Sequence, residues 1–314
     1  MPKPTGLTWL APICVFAQAF GVFAGDGACS EEGALPGASH GPHEGMPMWD
    51  LSCMVWRIGK ILDFEAQVRW IAEAGFEAIS FHASPGKAGV WVGLEPAHLD
   101  TEERARVREL LSRFSVCEIH APFDCELAAE TPAPVLEKLE EVVQFAADVG
   151  ADVVTVHADA PDAAKDAAPQ SWNNALDRLN DFAGRAGVRI GIEFMTGFEW
   201  LVRPRREWIG ATLDVGHMYL RDGAGYRPYG TIGDLVRFLG DSLLHVHVHD
   251  YDGNVDHIEV GTGRVDFDGF LRGLADIGYG GALCLEANPD RVTPDGIRRS
   301  ADYLRQRARG LGLR

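Results

Sequence analysis

The sequence predicts an α/β protein built as a (β/α)8 TIM barrel, and three observations predict it. From Asp50 onward, short apolar runs of strand length alternate with longer amphipathic stretches. The strand-like runs are apolar at successive positions, as parallel strands buried on both faces must be. Ionisable residues recur at the C-terminal ends of those runs, where a barrel gathers its polar site. A doubly wound sheet would carry a glycine-rich phosphate turn after its first strand, and the sequence has none there.

Taken in order, Leu51–Val55 is the first strand. Asp63 caps a helix whose Phe64, Val68, Ile71 and Ala72 share a face, and Gly75 closes it. Phe76–His82 is the second strand, Thr101–Phe114 a charged helix and Ser115–His120 the third strand. Ala133–Val149 is a helix ended by Gly150, with Leu136, Leu139, Val143 and Ala146 inward. Asp152–His157 is the fourth strand, Ser171–Ala186 its helix, and Val188–Phe194 the fifth strand. Only twenty residues then separate Glu193 from Asp214, and they include Arg203, Arg205 and Arg206, so the fifth helix is short or missing. Ala211–Val215, Leu243–His249 and Ala282–Glu286 complete the strands; Ile232–Leu239, Phe267–Ile277 and Pro294–Arg309 complete the helices.

The barrel is expected over residues 49–314. Lys3 precedes an apolar run, Leu7 to Phe23, with a small-residue cleavage pattern near Ala24. Residues 1–24 therefore read either as an export signal or as an upstream start, with translation truly beginning near Met46 or Met48. Residues 25–48, rich in Gly, Ala, Ser, Pro and Glu without periodicity, read as a disordered linker. The six cysteines show no C-x-x-C spacing, and Cys53, Cys117 and Cys284 sit in apolar runs as small hydrophobes. That usage favours the cytoplasm; a genuine signal would place the protein outside it. The interrupted N-terminal run is no convincing membrane span. Net charge is −17, of which the first 45 residues carry −3, so the folded part is acidic and lacks the basic face of a nucleic-acid binder.

The chemistry collects at the strand ends. His82, His120, His157, Glu193, Asp214, His247 and Glu286 each fall at or beside the C-terminal end of a different predicted strand. On the seventh strand His245, His247 and His249 alternate with Leu244, Val246 and Val248, which puts the imidazoles on one face, ending in Asp250. A lone histidine in a strand is ordinarily a satisfied core residue. Carboxylates gathered in a barrel mouth, however, are costly unless a cation compensates them. Glu193, Asp214, His247 and Glu286 are the candidate ligands, and their imidazole content favours Mn2+, Co2+, Fe2+ or Zn2+ over Mg2+.

Several pieces resemble the xylose isomerase-like barrel superfamily, which holds sugar-phosphate isomerases and epimerases, ketose 3-epimerases and endonuclease IV. They are His120-Ala-Pro-Phe123, Val154-Thr-Val-His157, Ile192-Glu193, Leu213-Asp-Val-Gly-His217, His245-Val-His247, Gly261-Thr-Gly-Arg-Val-Asp-Phe267 and Leu285-Glu286. The resemblance implies that the four ligands hold one ion and that Glu193 and Glu286 double as acid and base. Proton transfer through a metal-stabilised enediolate of a small sugar or sugar phosphate would follow. His120, His157, His217 and His257 would bind a second metal or the substrate, with His82 and Arg264 as further substrate contacts. A homodimer is also in keeping with it. Endonuclease IV, a zinc phosphodiesterase with more histidine ligands, is the competing assignment. Asp256 directly precedes His257, where the nuclease pattern spaces them by one residue. A barrel retained as a binding module is the non-enzymatic alternative.

Overall fold

The computed structural model describes residues 49–161 and 168–313, within a compact unit running from Gly45 to Arg314. The segments expected as export signal or upstream start (1–24) and as linker (25–48) lie outside the described residues. Eight parallel strands close on themselves in sequence order: β1 (Leu51–Val55), β2 (Ala78–His82), β3 (Cys117–His120), β4 (Val153–His157), β5 (Arg189–Glu193), β6 (Ile209–Asp214), β7 (Leu243–Val248) and β8 (Leu283–Leu285). β8 pairs back to β1 through Leu51 beside Leu283 and Cys53 beside Leu285. The helices are α1 (Phe64–Glu73), α2 (Thr101–Leu111), α3 (Ala133–Val149), α4 (Gln170–Ala186), α5 (Glu199–Val202), α6 (Leu220–Gly223), α7 (Ile232–Leu239), α8 (Phe267–Asp276) and α9 (Pro294–Gly310). None of the described helices is long and apolar enough to cross a membrane.

The helices start and stop where local chemistry requires. Asp63, Asp266 and Thr293 each accept a backbone N–H of the first turn, and Asp100 with Glu103 and Thr231 with Asp234 form capping boxes. Gly150 and Gly187 end α3 and α4 in the left-handed region, where a side chain is strained. The short fifth helix is a single turn, Glu199–Val202. Several strands are shorter than the sequence suggests; β2 begins at Ala78 rather than Phe76, and β8 spans three residues. Apolar character persists past the last ladder hydrogen bond, so the sequence cannot mark that limit.

The apolar core lies between barrel and helices, where Phe81, Phe145, Val154, Leu179, Ile192, Val246 and Phe270 are fully buried. The barrel interior is polar by contrast. Ser52 meets Ser80 at 2.9 Å, Thr155 meets Thr212 at 2.9 Å, and Glu118 and His245 are buried among them. Gly191 leaves room there: a Cβ would fall 2.1 Å from the Thr212 hydroxyl. Strand periodicity thus turns one face of each strand to the helices and the other to a packed, largely polar interior.

Candidate functional site

The strand ends converge as expected. His82, His120, His157, Glu193 and Asp214 are the last residues of β2 to β6; His247 lies one before the end of β7, and Glu286 directly follows β8. All but the partly exposed His157 are buried.

His247 is the centre. Its Nδ1 lies 3.0 Å from Glu286 Oε2 and 3.3 Å from Glu193 Oε2. Glu193, Asp214 and His247 each offer a ligand atom within 4.8 Å of the other two, and Glu286 joins them through His247. Glu193 Oε2 and His247 Nδ1 are buried, yet neither has a partner of hydrogen-bonding geometry. Orphaned buried atoms of this kind are rare in folded proteins unless an ion or water completes them. Carboxylates and an imidazole with free lone pairs fit a divalent transition metal, and these residues are able to hold one.

The electrostatics agree with that donor set. Burial alone would raise the Glu193 and Glu286 carboxyls, but the imidazoles beside them hold both well below the usual range. His217 is pushed up to about 10: burial opposes its charge, but Asp214 and Glu193 outweigh it. His247 rises as well, against its burial, under Glu286 and Glu118. The buried carboxylates therefore call for compensating positive charge, which a cation held by these donors would supply.

Beside this centre lies a second group of donors, Asp214, His217, His249 and His257. His217 Nδ1 is 3.1 Å from Asp214 Oδ2 and 3.3 Å from Glu193 Oε1. His249 is committed at both nitrogens. Its Nδ1 accepts the His257 backbone N–H at 2.9 Å, so its Nε2 carries the proton and faces Asp214 at 2.9 Å. The His257 ring stacks on it at 3.9 Å, held there by a backbone with φ +51°, a strained value for histidine. Gly216 explains the Leu213-Asp-Val-Gly-His217 pattern: a Cβ there would sit 2.2 Å from the His249 ring. Asp256, in doubt as a ligand from its spacing, lies 3.8 Å from His217 Nε2 and also pairs with Arg291 at 3.2 Å.

A third donor group is His120, His157 and Glu193. His120 Nδ1 lies 2.8 Å from the Ala121 carbonyl, which makes it the donor and leaves the buried Nε2 bare, 3.8 Å from Glu193 Oε2. His157 Nε2 is 3.5 Å from the same oxygen. His82 is different. It is fully buried, with neither ring nitrogen partnered, and its ring packs against Trp56, Trp91, His120 and Phe123 at centroid distances of 4.8–5.3 Å. Burial, then His120, pushes it down to about 3, so it stays neutral.

Arg264, expected as a substrate contact, does not join the cluster, and neither do Arg205, Arg206 and Asp250. Arg264 is exposed, with its guanidinium against Gly253. Arg205 pairs with Asp241 at 3.1 Å, and Arg206 with Asp177 at 2.8 Å, so these two serve the barrel wall. Asp250 does not reach the centre either. It accepts backbone N–H groups from Tyr251, Gly261, Gly263 and Val265 at 2.8–3.1 Å and so shapes the Gly261–Val265 loop.

One residue, Glu118, and one role, that of His249, are not apparent from the sequence. Glu118, fully buried, lies 3.3 Å from His247 Nε2 and so orients the ring whose other nitrogen faces the centre. The available signal was its place two residues before His120, on the same strand face. His249 holds Asp214 in the same manner, a role hidden because its partners come from distant elements.

Residues 68–307 match the xylose isomerase-like TIM barrel family. The chain is 25% identical over 245 residues to an L-ribulose 3-epimerase of Methylomonas sp. strain DH-1, covering 69% of this chain and 80% of that protein. It is 27% identical over 134 residues to a ketose 3-epimerase of Arthrobacter globiformis, covering 38% of this chain and 43% of the relative. Among solved structures, a D-tagatose 3-epimerase-like protein superposes with a TM-score of 0.63 at 21% identity, over 84% of this chain and 98% of that one.

Proposed function

This chain belongs to the xylose isomerase-like TIM barrel family, and we propose that it is a metal-dependent epimerase or isomerase of a small ketose. One observation carries the reading. Glu193 and Glu286, from strands on different sides of the barrel, converge on the same unpartnered nitrogen of His247 at 3.3 and 3.0 Å while remaining ionised. The named activities of the curated relatives, ketose and L-ribulose 3-epimerases, support it.

Glu193, Asp214, His247 and Glu286 would hold Mn2+, Co2+, Fe2+ or Zn2+. Such a cation supplies Lewis-acid polarisation of a substrate carbonyl and its neighbouring hydroxyl. The remaining tasks fall to the chain. One glutamate would remove the proton from the carbon beside the carbonyl, and the other, once it has taken a proton from solvent, would deliver that proton to the opposite face. Glu118 and His249 keep His247 and Asp214 in register. His217, beside both Asp214 and Glu193, is placed to donate to a substrate oxygen. Trp56, Trp91 and Phe123 around neutral His82 form an aromatic wall suited to the carbon face of a sugar.

The endonuclease IV alternative draws on the three neighbouring donor groups. Against it stand the charge of −17 and the direct adjacency of Asp256 and His257, where the nuclease pattern has one residue between them. Incubation with a panel of ketopentoses and ketohexoses in deuterium oxide tests the proposal. Deuterium should enter at the carbon beside the carbonyl, and chelation or Glu286→Gln should abolish it. Cleavage of abasic-site DNA without any sugar exchange would reverse the assignment.

A further inference from the structure

Beneath the mouth, inside the barrel, lies a donor cluster of which the proposed reaction uses only His247 and, to orient it, Glu118. Glu118 of β3, His245 and His247 of β7 and Cys284 of β8 offer ligand atoms that all lie within 4.8 Å of one another. Each side chain is buried to within 1% of complete. Cys284 lies in an apolar run of the sequence and is a buried free thiol, and its strand also brings it to this cluster. From this geometry we infer a second, sulfur-containing metal site, in which Glu118, His245 and Cys284 hold a thiophilic divalent cation such as Zn2+.

Two independent observations support it. Glu118 Oε2 and His245 Nε2 are buried, lack any hydrogen-bond partner, and stand 3.8 Å apart. Ligand atoms sharing one zinc ion are about 3.3–3.7 Å apart, given bonds of about 2.0–2.3 Å, so a slight closure suffices. The donor chemistry is the second: a carboxylate, an imidazole and a thiol, all buried, gather their ligand atoms around one point, and Glu118 Oε1 has only His247 Nε2 at 3.3 Å for company. A divalent ion with Glu118 and the Cys284 thiolate is net neutral, the arrangement that a low-dielectric interior favours. Binding releases the Cys284 thiol proton to buffer and forms the metal–sulfur bond, with no change of oxidation state. The thiolate selects Zn2+, Co2+ or Cd2+ over Mg2+ and Ca2+.

Access comes from the floor of the barrel. A cavity of about 310 Å3 opens there, lined by His245, Arg189, Val153, Tyr279 and Ala282 among others. The ion would therefore enter from the side opposite the substrate. Once bound it would immobilise Glu118, and through Glu118 the His247 ring of the mouth.

Sulfur distinguishes the two sites, because the mouth ligands include none. Full-length protein stripped of metal and titrated with Co2+ should develop a near-ultraviolet thiolate-to-cobalt charge-transfer band. Cys284→Ser should abolish that band and lower the metal content by one ion per chain. Glu193→Gln should keep the band while weakening the mouth ion, and Cys14→Ser with Cys29→Ser should also keep it. A wild-type spectrum without the band at saturating Co2+ overturns the site, whether or not any variant folds, as does a band surviving in Cys284→Ser. A band in a protein without epimerase activity would uphold this site and fail only the proposed reaction.

Discussion

The two walls of the barrel mouth treat the same residue type in opposite ways. On the wall of β5 to β8, His217 sits between Asp214 and Glu193 and is pushed up to about 10. On the wall of β1 to β3, His82 sits among Trp56, Trp91 and Phe123 and is pushed down to about 3. Both histidines are largely removed from water, so burial does not separate them; their neighbours do. One wall is charged. The other presents apolar surface, with Phe123 still 44% exposed at its rim.

The sharpest test of this division is a matched pair of substitutions. Glu193→Gln on the charged wall should lower kcat by about 10²- to 10⁴-fold, the usual worth of a positioned acid or base. Phe123→Leu on the aromatic wall should instead raise KM by about tenfold or less, with kcat little changed. Steady-state kinetics on the same ketose read both, and equal losses of kcat would erase the distinction.

A smaller effect is expected one layer down. Glu118→Gln leaves His247 in place but weakens the acceptor for its Nε2 proton. Affinity for the mouth ion should fall by about 10- to 100-fold, as for other partners of metal-ligating histidines. Competition against a fluorescent chelator measures it, and unchanged affinity would show that Glu118 does not orient the ring.

The mildest change at neutral pH is expected at His82. Its folded pKa, about 3, lies below the unfolded value near 6.5, so between these limits the unfolded chain binds more protons. The stability tied to its neutral ring is complete above about 6.5 and is lost as pH falls towards 3. His82→Leu should therefore flatten the acid limb of a denaturant-midpoint profile of metal-free protein while changing pH 7 little. An unaltered acid limb would mean that His82 is not forced to stay neutral.

Much of this was legible in the chain itself, for local reasons. Strand and helix periods, the helix cap at Asp63, and the twenty residues between Glu193 and Asp214 are properties of neighbouring residues. Because barrel strands all expose their C-terminal ends on one face, residues placed there had to meet, and Glu193, Asp214, His247 and Glu286 do. Only the tertiary structure decided what each group faces. It turned Asp250 onto a ring of backbone N–H groups, gave His249 to Asp214 and His257, and brought Glu118 to His247 across 129 positions of sequence. It also set Cys284 beside Glu118 and His245. Periodicity tells which side of a strand a residue occupies, but hydrogen bonds and charge pairs depend on distances of a few ångströms between strands, and closure of the barrel sets those.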